Sequence, residues 1–250
     1  MTSPGPGTPA PAVLRAAVIL DVISKRAISY PRISDIARDT GIPPSSVTNI
    51  IAALVDTGLV RRTGSGYSIG PATVELASAF LRSDDTVQRF REFVPETDVL
   101  SAETAQLGTL LENDVLFLSR HDGIQPIALT SAIGRRLPAS STAVGKAMLA
   151  QLEPTELAAT LSEPLPRLTE RSHRDLASLS EDLESIRRRG HAIDDEEAAP
   201  NVVCLAVAVE THEGDPRLAV STTLFKERLT PELHERLVAD LAAVASYLAK

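Results

Sequence analysis

The chain has 250 residues, with 25 Lys and Arg against 33 Asp and Glu for a formal charge of −8, and 43% of it is hydrophobic. That is enough for one large domain or two small ones with a genuine core, while the 23% charged fraction and near-zero mean hydropathy fit neither a disordered chain nor a membrane protein. The longest apolar run, Val202 to Val209, is far short of the roughly 20 residues a bilayer span needs, and the single cysteine excludes an internal disulfide or an all-cysteine metal site.

Residues 1–11 are rich in Pro, Gly, Ser and Thr, with no basic start and no apolar stretch. They read as a disordered tail and not a secretory signal, so a cytoplasmic protein is expected. Val13, Ala16, Ala17, Leu20 and Ile23 then recur at helical spacing. Ser29-Tyr30-Pro31 breaks the chain, and Pro31 is expected to open a second helix carrying Ile33, Ile36 and Ala37 as far as Gly41. Pro43-Pro44 starts a third helix with Val47, Ile50, Ile51 and Leu54 on one face and Gly58 as its stop. Leu59–Arg62, the turn Thr63–Gly66 and Tyr67–Ile69 form a β-hairpin pattern. Gly70-Pro71 opens a fourth helix, read as a linker over 71–92, and residues 84–103 look helical with a break at Pro95.

Beyond this point the pattern changes to short apolar runs between turns. Gln106–Leu111, Val115–Ser119 and Ile127–Leu129 are candidate strands, and Ser140-Ser141-Thr142 is expected to cap a helix over Ala143–Leu152. Further helices are expected at about Thr155–Leu161, Leu176–Arg189 and Pro231–Leu248. The runs Val202–Val209 and Leu218–Leu224 flank the turn Glu213–Pro216. Hairpins with flanking helices and no strict alternation predict an α+β fold with an antiparallel sheet. Charge is unevenly spread: residues 1–82 carry +3 and the remainder −11, an asymmetry expected of two domains with different partners.

The strongest spacing lies in residues 33–54. Ala37 is small where two helices would touch, Gly41 can take the left-handed turn conformation, and Val47 and Ile50 would seat the second helix on the first. A hairpin follows at once, which makes the pattern a winged helix-turn-helix and predicts binding to double-stranded DNA. A three-helix module for protein contacts is the alternative. Ser45, Ser46, Thr48 and Asn49 would then face the major groove, where Asn can pair bidentately with adenine. Arg32, Arg38, Arg61 and Arg62 would meet phosphates, fixing register and not sequence.

Read together, the two halves resemble the IclR-type bacterial transcriptional regulators. In the first half the resemblance rests on Leu14-Arg15-Ala16-Ala17, Ile36-Ala37, Thr40-Gly41-Ile42-Pro43, Leu54 to Val60 and Tyr67-Ser68-Ile69-Gly70. In the second it rests on Gly134–Pro138, Ala143–Ala150, Ile186–Glu197, Cys204-Leu205-Ala206 and Leu218–Ser221. The chain departs from the family pattern at Asn49, where Arg is usual, and at Pro200-Asn201 and Ala208-Val209. The resemblance implies a tail (1–11), a winged helix-turn-helix domain (12–70), a linker helix (71–92) and a GAF/PAS-like effector-binding domain (93–250). It implies a homodimer or tetramer on a pseudo-palindromic operator, repressing transcription under control of a small organic acid. Carried over, the effector-contacting set is Ala143, Val144, Asp194, Cys204, Ser221 and Thr223. A helix N-terminus behind Ser140-Ser141-Thr142 and the same-face hydroxyls of Ser221 and Thr223 suit a carboxylate.

Other chemistries find no support, so no catalytic residue, metal or cofactor is expected. Gly64-Ser65-Gly66 lacks the third glycine of a dinucleotide turn, with Ile69 in its place, and Gly145-Lys146 lacks the upstream glycine of a phosphate loop. The five histidines show no pair at metal-ligand spacing, and there is no Gly-x-Ser-x-Gly elbow. A GAF-like enzyme using Cys204 is the remaining alternative.

Overall fold

The computed structural model describes residues 10–26, 29–124, 132–212 and 217–249. Most of the expected tail, the candidate strand Ile127–Leu129 and the turn Glu213–Pro216 lie outside the described residues. The chain falls into two units, Met1–Ser83 and Asp84–Lys250. No helix among the described residues is long and apolar enough to cross a membrane.

The first unit contains α1 (Pro11–Lys25), α2 (Ile33–Thr40), α3 (Pro44–Asp56), β1 (Val60–Thr63), β2 (Gly66–Ile69) and α4 (Ala72–Ser83). Ile19 and Ile23 of α1, Ile36 of α2, and Val47, Ile51 and Leu54 of α3 meet in one core, which Val60 and Tyr67 of the hairpin close. Pro31 does not open α2. Arg32 is still extended, and its N–H donates to the Asp35 carboxylate at 3.0 Å, so the helix starts where that side chain can cap it. Gly41 ends α2 at φ 68°, a conformation costly for any residue with a Cβ. Thr63 pairs with Gly66, so the hairpin turn is the two residues Gly64-Ser65 and not four. Helix α4 buries none of its residues, and Val74, Leu76 and Phe80 are exposed along it.

The second unit begins with α5 (Asp85–Phe93). The segment 71–92 is therefore not one helix. Asp84 is extended and accepts the Val87 N–H at 2.9 Å, and a short acidic side chain there favours a new N-cap over helix interior. Two 3₁₀ turns, Val94–Glu96 and Leu100–Ala102, replace the rest of the helix expected to reach 103. There follow β3 (Thr104–Leu111), β4 (Asp114–His121), β5 (Arg136–Pro138), α6 (Ala143–Leu149), α7 (Pro154–Thr160), α8 (Leu176–Arg189), β6 (Ala192–Asp195), β7 (Val202–Val209), β8 (Leu218–Phe225) and α9 (Pro231–Leu248). The strands form one antiparallel sheet in the order β5-β4-β3-β8-β7-β6.

Strand alternation sorts the side chains onto two faces. Cys204, Ala206 and Ala208 of β7 and Ala219 of β8 pack with α6 and α8, whereas α9 lies on β7 and β8 and buries Leu237, Leu241 and Val244. Thr142 alone caps α6, its Oγ1 accepting the Gly145 N–H at 3.1 Å; Ser140 and Ser141 form a buried 3₁₀ turn before it. Gly145 lets that turn touch the helix, since a Cβ there would stand 2.2 Å from the Ala139 carbonyl oxygen. This contact fixes the start of α6 against the sheet, beside Asp194, Cys204, Ser221 and Thr223.

Candidate DNA-binding surface and effector pocket

On α3, Ser45, Thr48 and Asn49 are exposed and Ser46 is half-buried. Thr48 Oγ1 donates to the Pro44 carbonyl at 2.8 Å, so its hydroxyl offers lone pairs outward and not a proton. Ala52, one turn beyond Thr48 and Asn49, extends the same exposed face with a methyl group. Sequence reading passed over it because alanine carries no polar signal. Of the four arginines, Arg32 and Arg62 line one cleft of about 340 Å³ together with Ser34, Gly64, Ser65 and Tyr67. The Arg62 guanidinium donates to the Tyr67 hydroxyl at 3.2 Å and stands 5.7 Å from the ring centre, which aims it along the hairpin. Arg38 instead pairs with Asp35 and Asp39, and Arg61 donates to Ser68 Oγ.

In the second unit all six predicted effector residues line one cavity. Ala143 and Val144 open α6 on one side, Asp194 and Cys204 come from β6 and β7, and Ser221 and Thr223 from β8. Gln106 of β3, which sequence reading missed, completes the polar wall. Its Oε1 accepts from Ser221 Oγ at 2.8 Å, its Nε2 donates to Thr223 Oγ1 at 3.1 Å, and Cys204 Sγ lies 3.3 Å from the same hydroxyl. The cavity measures about 20 Å³. That is room for one water, so an organic acid enters only as the surrounding side chains move.

Asp194 Oδ1 accepts the N–H groups of Glu197 and Ala198, at 2.7 and 3.2 Å, and so shapes the loop after β6. Burial, reinforced by the charge of Glu197, raises the Asp194 carboxyl to about 7. Its charged form is disfavoured in the fold, so the contribution of Asp194 to stability is most favourable in acid and falls as pH rises from 3.8 to 7. At about 1.4 kcal/mol per unit the loss comes to about 4 kcal/mol, levelling off above pH 7. Asp194→Asn keeps the accepting oxygen without the charge. The variant is expected to match the parent near pH 4 and to exceed it by about 4 kcal/mol at pH 8 in urea unfolding; a difference flat with pH would contradict this. Burial also pushes the Cys204 thiol up, with Asp194 adding to the shift, so it stays protonated and is a poor nucleophile. The Cys204 enzyme reading loses its chemistry.

Behind the cavity, Lys146 of α6 is fully buried, and its ammonium is held by Asp182 of α8 at 2.7 Å and by Glu197. His173 Nε2 stands 3.4 Å from Asp182 and Arg189 3.3 Å. Burial alone would raise Asp182, yet the His173 hydrogen bond and the Lys146 charge hold it well below the usual carboxylate range. His173, Asp182 and Glu197 have the ligand types of a cation site, but Lys146 already supplies the cation.

Comparison with known proteins agrees with this architecture. The IclR helix-turn-helix domain matches residues 12–64, and the bacterial transcriptional regulator IclR C-terminal domain matches 78–250. The HTH-type transcriptional regulator BhcR of Paracoccus denitrificans is 32% identical over 84% of this chain and 75% of its own. The crystal structure of the Agobacterium tumefaciens repressor BlcR is 28% identical, with a TM-score of 0.60 over 96% of this chain and 98% of that one. An IclR homolog complexed with 4-hydroxybenzoate, from Microbacterium hydrocarbonoxydans, shares the fold, with 23% identity and a TM-score of 0.74 over 95% and 98%. Its relatives are regulators and not enzymes, and with both of its domains matched the chain belongs to the IclR family of bacterial DNA-binding transcriptional regulators.

Proposed function

We propose that this regulator is a cytoplasmic repressor whose grip on a pseudo-palindromic operator is changed by a small carboxylate bound in the 106–223 cavity. The observation that carries the effector half is the convergence of two hydroxyls, a near-neutral aspartate and the start of α6 on one enclosed space. An unpaired buried anion is costly, so such a ligand needs donors, and the hydroxyls of Ser221 and Thr223 and the first N–H groups of α6 are the candidates. The relative complexed with 4-hydroxybenzoate supports an acid of that class, and the relative named a repressor supports the sign of regulation. Residues 12–70 serve as the DNA-binding domain and 93–250 as the effector domain. A second copy covers Val74, Leu76 and Phe80 on α4, giving a dimer or, by pairing of dimers, a tetramer.

The DNA half rests on the exposed polar face of α3 beside a cleft that carries two arginines. A mobility shift on the region upstream of the protein's own gene tests it. Asn49→Ala is expected to weaken specific binding by about 1–3 kcal/mol and to leave binding to random duplex unchanged, because a base contact distinguishes sequences. Arg62→Ala is expected to weaken both alike, because it meets phosphate. Equal losses on both duplexes for Asn49→Ala would remove it from the base-reading set.

A further inference from the structure

A hydroxyl has one proton to give, and in this cavity the proton of Ser221 is already given. It goes to Gln106 Oε1 at 2.8 Å, while Thr223 accepts from Gln106 Nε2 at 3.1 Å and lies 3.3 Å from the same Oε1. Gln106 is buried, and its amide carbonyl stands where an acceptor facing the two hydroxyls would stand. A carboxylate can only accept, so it gains nothing from Ser221 while that proton is spent on the amide. The remaining space, about 20 Å³, admits no second acceptor beside it.

We propose that Gln106 is a built-in competitor of the effector: its amide carbonyl fills the acceptor position in front of Ser221 and Thr223, and a carboxylate binds by displacing it. This rests on the reading of the cavity as the effector site. The residue at 106 then sets two properties, the affinity threshold for acids and the preference for a ligand whose acceptor group is the size of a planar amide or carboxylate. Sequence gives little sign of such a role, since Gln106 is one polar residue on a strand whose partners lie more than a hundred positions away.

The test uses the full chain and two readouts, with Cys204 as the single thiol and a lining residue of the cavity. Gln106→Ala empties the position, and Gln106→Met keeps it filled without the hydrogen bonds. With methyl methanethiolsulfonate, Cys204 is expected to react at least tenfold faster in Gln106→Ala than in the parent, and at the parent's rate in Gln106→Met. With benzoate as the probe acid, calorimetry is expected to give at least tenfold tighter binding for Gln106→Ala. An unchanged thiol rate in Gln106→Ala, or weaker benzoate binding, overturns the proposal; the latter would make Gln106 a ligand contact. If no protein binds benzoate or any other small acid, the carboxylate reading of the cavity falls instead, and the thiol rates alone decide whether Gln106 fills it.

Discussion

Lys146→Met is expected to destabilise the effector domain by about 3–5 kcal/mol at pH 7, the cost of leaving buried charge without its partner. The ammonium lies between Asp182 and Glu197 and is shielded from water, so no solvent replaces it. Asp182 keeps Arg189 and His173, but among the described residues Glu197 keeps only His173, at 3.7 Å. Burial already raises the Glu197 carboxyl, and the charge of Lys146 is the main force opposing that rise. Without the lysine, the ionised form of Glu197 is penalised further. The loss is therefore expected to be largest at neutral pH and to shrink on acidification, as Glu197 becomes neutral in the variant. Urea unfolding of parent and variant at pH 5 and pH 7 checks both parts. A loss below about 1 kcal/mol at pH 7 would mean that the cluster behaves like an exposed ion pair.

Operator binding is expected to be steeply salt-dependent. Each phosphate contact releases bound counterions, so a dimer making 6–10 of them should lose about 10³–10⁵-fold in affinity between 50 and 200 mM salt. Arg32 and Arg62 share one cleft, and both are free of carboxylate partners among the ion pairs of the described residues. Arg38 differs, because it must give up Asp35 and Asp39 before it meets a phosphate. Arg62→Ala is therefore expected to lower the slope of log affinity against log salt by about 2 in a dimer, and Arg38→Ala by less. Fluorescence anisotropy across a salt series measures both slopes. A parent affinity flat over this range would remove phosphate contacts from the account.

The parts of this fold that were legible in the sequence are those written locally. Gly41 and the Val47–Leu54 face announce two helices and the turn between them, and the runs at 202–209 and 218–224 are long enough to read as buried strands. The short strands β5 and β6 were not legible. Three or four residues hold no alternation, and β6 spends two of its four on aspartate. The break at Asp84 was hidden because a helical pattern runs through it and only the cap hydrogen bond shows the stop. Long-range partnerships were invisible for a different reason. Gln106 meets Ser221 across 115 positions, and Lys146 meets Glu197 across 51, so no local pattern links them. The effector residues themselves entered through family resemblance, and their meeting at one cavity is a property of sheet register: Cys204 opposite Thr223, and Ser221 opposite Gln106.

If a small acid in this cavity changes the hold on DNA, operator affinity measured with and without the acid will differ. The assay is fluorescence anisotropy on the upstream duplex, titrated at fixed salt in the presence of a panel of small carboxylates that includes 4-hydroxybenzoate. The parent protein is expected to change its operator affinity with at least one of them. The Ser221→Ala/Thr223→Ala double variant should bind the operator as the parent does without ligand, and should not respond. A double variant that responds as fully as the parent would place the effector site elsewhere than at Ser221 and Thr223.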